Sequence, residues 1–170
     1  LPGEHRLMGI TDGGINLAPD LSAKGQILQN ALEVFRALGY DRPRVAVLSA
    51  VEKVNANLPS TVDAAELARQ GKEGRFGPCE VAGPLAMDLA VSAESARRKG
   101  VESPVAGRAD ILLFPNIEAA NITAKAIQYM VPFEPGHVVV GAAAPVLIPS
   151  RAESAQAKVN AVAVGRLMVD

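Results

Sequence analysis

Residues Asp110–Ala126 read DILLFPNIEAANITAKA, and the fold turns on how this stretch divides. Ile111–Phe114 is apolar without alternation. A strand with one wet face alternates polar and apolar residues, whereas a strand covered on both faces does not. Asp110–Phe114 therefore predicts a strand inside a parallel sheet, and a helix over Ile117–Met130 follows it.

The same pairing runs outward in both directions. Toward the amino terminus, Arg6–Thr11 predicts a strand that enters the turn Asp12-Gly13-Gly14. Asp20 caps a helix from Leu21 to about Leu38 whose face is Ile27, Leu28, Ala31, Leu32, Phe35 and Leu38, and Gly39 ends it. Arg44–Ala50 predicts a strand, and Ser60 or Thr61 caps a helix to about Gln70. Gln70–Gly77, charged and Gly-rich, reads as an exposed loop. Glu80–Ala82 reads as a short strand, and Pro84 opens a helix ending near Gly100. Toward the carboxyl terminus, His137–Ala142 predicts a strand, Val146–Ile148 a short apolar run, and Arg151–Leu167 a helix. The repeated β-α order defines an α/β fold, a mostly parallel sheet with helices on both faces.

Composition narrows the function. With 170 residues the chain holds one well-buried domain, or one and part of another. A hydrophobic share of 49% with only 4% aromatic residues implies a core of Ala, Val, Leu and Ile. A net charge of -1 argues against a general affinity for nucleic acid. No segment reaches the length of a membrane-spanning helix. One cysteine, Cys79, excludes an internal disulfide or a zinc cluster and fits a reducing cytoplasm. It reads as a plain thiol sooner than as a nucleophile, since neither His5 nor His137 lies near it in sequence. Both histidines read as surface or structural residues. The start, LPGEHRLMGITDGG, lacks an initiator Met and a signal-peptide pattern and reads as the middle of a longer polypeptide.

In a parallel α/β sheet, ligands meet the loops leaving the carboxyl ends of the strands. Those loops read TDGGIN (Thr11–Asn16), LSAVEKVN (Leu48–Asn55), AGPLAMD (Ala82–Asp88), FPNIEAAN (Phe114–Asn121) and VGAAAP (Val140–Pro145). Small residues, amides and acids permit close backbone approach to a ligand. No G-x-G-x-x-G or P-loop follows a strand, which disfavours a dinucleotide or nucleotide site, and no H-E-x-x-H or carboxylate cluster suggests a metal.

A further stretch, PSRAESAQAKVNAVAVG (Pro149–Gly165), places Ser150 and Arg151 where an apolar run gives way to a helix. Ser150 and Glu153 form S-x-x-E, a capping box. The same serine and arginine at a helix start also suit an anion: the guanidinium is a planar fork matched to phosphate oxygens, and a helix amino terminus adds free N–H groups.

The segments TDGGINLAPDLSAKGQILQNA, VAVLSAVEKVN, GPLAMDLAVS, SPVAGRADILLFPNIEAANITAKA and VGAAAPVLIPSRAESAQAKV, in that order over Thr11–Val159, resemble the phosphate acetyltransferase and phosphate butyryltransferase family. The resemblance implies reversible transfer of an acetyl or butyryl group between coenzyme A and inorganic phosphate. Coenzyme A, acyl-CoA and phosphate are then the partners, with coenzyme A as substrate, no tightly bound cofactor and no metal. It implies a cytoplasmic homodimer and a two-domain architecture like that of the isocitrate and isopropylmalate dehydrogenases. This chain resembles the carboxyl-terminal half of a member. Residues 1–143 would form the second domain and residues 144–170 a closing segment returning to an absent first domain. The resemblance implies a longer parent polypeptide, and a bifunctional enoyl-CoA hydratase/phosphate acetyltransferase is one form it could take.

Carried over by position, Ser150 and Arg151 bind phosphate and stabilise the transition state. Acetyltransferase-type members place an aspartate, the proposed base for the thiol, where this chain has Ala157; the form here is the butyryltransferase-like S-R-A-E-S-A. Glu153 and Glu118 remain candidates for that base, and either also reads as solvated or structural. Asn116, Glu118 and Asn121 shape the cleft or cap the following helix. Ser103-Pro104-Val105-Ala106-Gly107, with Ser103 and Gly107 at its ends, lines an acyl or pantetheine channel or is a plain turn. Two rivals stand beside this reading: a non-catalytic acyl-CoA-binding regulatory domain, favoured by the missing aspartate, and a dehydrogenase-like member of the same fold.

Overall fold

A computed structural model describes residues 7–169. Among them, strands β1 (Gly9–Thr11), β2 (Arg44–Leu48), β3 (Glu80–Leu85) and β4 (Ile111–Leu113) form one four-stranded parallel sheet in the order β1-β4-β2-β3. The apolar stretch Ile111–Leu113 is thus a central strand, paired with β1 on one side and β2 on the other. The expectation of cover on both faces holds residue by residue. Val45, Val47, Val81, Ile111 and Leu113 join Ile27, Leu28, Leu32 and Phe35 of α1 (Leu21–Ala37) and Ala64 and Leu67 of α2 (Pro59–Lys72) in one core. Ala46, Leu48 and Leu112 turn the other way. They pack with Leu89 and Ala90 of α3 (Met87–Val91), Ala96 of α4 (Ala93–Arg98) and Ala120 of α5 (Ile117–Met130). Alternate side chains of one strand feed two cores, so neither face has polar positions.

Asp20 caps α1 by accepting from the backbone N–H of Ala23, and Gly39 follows its end with φ +88°. Helix α5 begins and ends where its sequence predicts. At the amino edge of the sheet, the buried Asp110 carboxylate takes both Nε and Nη2 of Arg44 and also the Arg44 N–H, stapling β4 to β2.

Several expectations are corrected. Neither Ser60 nor Thr61 caps α2: Pro59 opens it, Leu58 stands at the cap, and the buried Thr61 hydroxyl bonds the Asn55–Leu58 turn instead. The segment Gln70–Gly77 is helical to Lys72 and buries Gln70 and Phe76, so only part of it is exposed loop. Pro84 opens no helix. It lies within β3, an edge strand, where a residue without an N–H is tolerated. The helix after it is two helices, because Ser92, in extended conformation, ends α3 and caps α4 through the Ser95 N–H. His137–Ala142 adds no strand to the sheet: its run makes a single antiparallel bridge, Val139 to Val146, across a turn at Gly141, whose φ of +94° suits glycine. The amino end of the predicted first strand, Arg6, and His5 lie outside the described residues.

The last helix, α6, runs Ala155–Leu167 and starts later than predicted. Its cap is Ser154, accepting from the Ala157 N–H at 3.0 Å. Ser150 does not cap it. Among the described residues the Ser150 hydroxyl accepts only from the nearby Ala152 N–H, at 3.3 Å, and the Glu153 side chain does not turn back to Ser150 because its carboxylate is held elsewhere.

Candidate functional site

Parallel pairing brings the loops after β1, β4, β2 and β3 to one edge of the sheet. The first is locked by Asp12, which accepts from the backbone N–H groups of Gly14, Ile15 and Asn16 and from the Asn16 side chain. Partial burial pushes this carboxyl up, but the hydrogen bonds from Gly14, Asn16 and Ile15 together outweigh it and leave the pKa below its ordinary value. Asn121 on α5 donates to the Gly13 carbonyl at 2.8 Å, and the Phe114 N–H donates to the Thr11 carbonyl, so the TDGGIN and FPNIEAAN loops form one unit. Beside them Ser49 and Ser60 share a hydrogen bond of 2.8 Å between the second loop and α2.

Of the residues predicted here, Asn116 is the cap of α5, accepting from the Ala119 N–H at 2.9 Å, while Glu118 is exposed on the first turn. Ser103 and Gly107 lie in a turn. Ser103 accepts from the Val105 N–H, and Gly107, with φ +71°, donates to the Leu89 carbonyl. A Cβ on Gly107 would stand 2.3 Å from the Ala93 backbone, so this glycine is required for the turn to lie against α3 and α4. Cys79 is a core thiol; burial pushes its pKa up.

The second group lies in the closing region. Ser150 and Arg151 are exposed, and among the described residues the Arg151 guanidinium has no hydrogen-bond or ion-pair partner. The turn that carries them is closed by the Glu153 N–H donating to the Ser150 carbonyl at 3.1 Å. Glu153 itself is buried, with Oε1 2.6 Å from Nδ1 of His137 and Oε2 without a hydrogen-bond partner among the described residues. No hydrogen bond among the described residues joins this group to Asn116, Glu118 or Asn121. The VGAAAP loop stands apart from the other loops too: it faces Asn30 and Glu33 of α1 across a cleft of about 340 Å³. Sequence reasoning missed the His137–Glu153 pair. The two residues are separated by a loop and a bridge, and no spacing rule links them. Among the described residues no group of His, Cys, Asp and Glu side chains converges as a metal site, and no helix is long and apolar enough to cross a membrane.

Comparison with known proteins gives this arrangement its class. The family described as "Phosphate acetyl/butaryl transferase" matches residues 2–165. The chain is similar to a phosphate acetyltransferase of Rhizobium meliloti, 43% identical over 98% of this chain and 53% of that protein. It is similar to a phosphate butyryltransferase of Clostridium acetobutylicum, 43% identical over 96% of this chain and 54% of that protein. A crystal structure of a branched-chain phosphotransacylase from Enterococcus faecalis V583 superposes with a TM-score of 0.85 at 34% identity, covering 93% of this chain and 56% of that one. The chain belongs to the phosphate acetyl/butyryl transferase family. It spans about half the length of the curated relatives it matches.

Proposed function

We propose that this chain is part of a phosphate acyltransferase that moves an acetyl or butyryl group reversibly between coenzyme A and inorganic phosphate. The observation that carries the reading is Arg151, an exposed guanidinium without a partner among the described residues, beside the exposed hydroxyl of Ser150 on a turn anchored by a buried carboxylate. Arg42, Arg44, Arg69 and Arg98 each hold an acid, whereas Arg151 holds none among the described residues. A guanidinium that is left open offers two parallel N–H donors to the phosphate oxygens, where charge concentrates as the acyl–oxygen bond forms or breaks. The helix dipole adds less than the sequence suggests, because α6 starts beyond Ser150 and Arg151 and is capped by Ser154.

The division into a second domain (residues 1–143) and a closing segment (residues 144–170), and the isocitrate/isopropylmalate dehydrogenase-like pairing with a first domain, belong to the same proposal. So do coenzyme A, acyl-CoA and phosphate as ligands, a homodimer and a cytoplasmic setting. The transferase names of the matched relatives favour catalysis over a purely regulatory domain. The test is coenzyme A release from acyl-CoA and phosphate by the full-length polypeptide and by its Arg151→Lys variant, which keeps the charge and loses the fork. Turnover should fall about a hundredfold, the scale on which a transition-state donor acts. A variant within a few-fold of the unaltered protein would remove Arg151 from the site.

A further inference from the structure

Residues 131–169 bury very little, so what they do bury is informative. The buried positions are Glu153, Ala157, Ala161 and Gly165, one stripe at helical spacing whose first member is a carboxylate. Burying a carboxylate is costly unless it is paired. Left in water as the partner of Ser150, Glu153 would have formed an ordinary capping box. Instead its side chain is 3% exposed and its Oε1 stands 2.6 Å from Nδ1 of His137. The segment before His137 is tied to the same helix. The Ser154 hydroxyl donates to Glu134 at 2.7 Å, and the Asn160 side chain donates to the Pro135 carbonyl at 3.3 Å. The segment leading to His137 is therefore tied at several points, while the imidazole itself is held by Glu153 and remains 48% exposed.

A carboxylate accepts, so Nδ1 of a neutral imidazole facing it carries the hydrogen and Nε2 keeps a lone pair. That is how a carboxylate prepares a histidine to act as a base. Glu153 shares the turn of Ser150 and Arg151 through the hydrogen bond from its N–H to the Ser150 carbonyl, and His137 is joined to that turn through the Glu153 carboxylate. A proton acceptor is the part still lacking, because Ala157 stands where an acidic base is expected. Glu153 does not fill that part directly: one oxygen is engaged by His137 and the other is buried.

We propose that His137, oriented by Glu153, accepts the thiol proton of coenzyme A during acyl transfer. The inference rests on the transferase reading above. In the direction that forms acyl-CoA, the sulfur–carbon bond forms as the carbon–oxygen bond to phosphate breaks, and the electron pair of that bond leaves on phosphate. The thiol proton passes to Nε2 of His137, which then returns it to the departing phosphate or to water. His137 is the catalytic residue and Glu153 a positioning residue.

The test compares the full-length polypeptide with its His137→Ala, His137→Gln and Glu153→Gln variants, using acetyl phosphate and butyryl phosphate with coenzyme A. His137→Ala should lower kcat by about 10²–10⁴-fold, the usual contribution of a positioned base, with KM for both substrates changed only a few-fold. Added imidazole should restore part of the lost rate to His137→Ala and none to Arg151→Lys. Glu153→Gln should lower kcat less than His137→Ala does. If His137→Ala does not fold, His137→Gln carries the test, since its amide still donates to Glu153: lost kcat at unchanged thermal stability supports the assignment. Unchanged kcat in the folded histidine variant overturns it, and so does a loss in His137→Ala that imidazole does not rescue. An unaltered polypeptide that forms no acyl-CoA refutes the transferase reading itself, a separate outcome.

Discussion

The sheet and its helices, residues 9–130, differ sharply from residues 131–169 in how each treats apolar side chains. In the first region, Val45, Ala46, Leu112 and Leu113 are each no more than 1% exposed, and helices from the same chain cover both faces. In the second, the covered stripe is small residues plus Glu153, while Ile148, Val159 and Val162 are 64%, 59% and 58% exposed. Single exposed aliphatics are ordinary, but a run of them flanking the residues read as phosphate-binding is a different matter. The first region finds its core within the chain. The second is held by polar contacts such as His137–Glu153 and Ser154–Glu134, and it leaves its larger apolar residues uncovered by the described residues.

The contrast can be broken by substitution. Leu112→Ala opens a cavity between β4 and the helices, and should cost about 2–5 kcal/mol in urea unfolding. Val162→Ala in the same chain should cost under ~0.5 kcal/mol, as exposed positions do. Equal costs at the two sites would end the distinction.

A smaller effect sharpens it within the closing region. Ser154→Ala removes the α6 cap and should destabilise that helix by ~1 kcal/mol, whereas Ser150→Ala should change stability by no more than ~0.5 kcal/mol. Helical circular dichroism during thermal unfolding reports both, and the reverse ranking would reinstate Ser150 as the cap.

What the sequence made legible follows the same divide. The unalternating Ile111–Phe114, the cap at Asp20 and the bounds of α5 are local signals whose physics is settled within a few residues, and the structure keeps them. Signals that compete with a tertiary partner misled. S-x-x-E at Ser150 is a sound box by pattern, but Glu153 goes to His137, so the helix starts at Ala155 with Ser154 before it. Val138–Val140 is as apolar as β4, yet Gly141 turns it back to bridge Val146. Pro84 has the sequence mark of a helix start and sits in an edge strand because that edge needs no N–H from it. For the site, Asn116 proved to be the cap that its sequence position allows, and Asn121 a tie between loops. Arg151 draws attention in the sequence because it belongs to a motif; the half-exposed His137 that holds the buried Glu153 does not, because that pairing is fixed only by the packing of α6.

We propose that this chain carries the phosphate-binding turn of an acyltransferase whose cleft needs a further domain. A site built between domains loses half its contacts when one is absent, and with them the proximity and orientation on which a two-substrate reaction depends. The most direct measurement is coenzyme A release from acetyl-CoA or butyryl-CoA and phosphate by residues 1–170 alone. It is then repeated with the remaining part of the full-length polypeptide added in trans. The account predicts a folded chain with no turnover alone and measurable turnover after addition; appreciable turnover by the chain alone would contradict it.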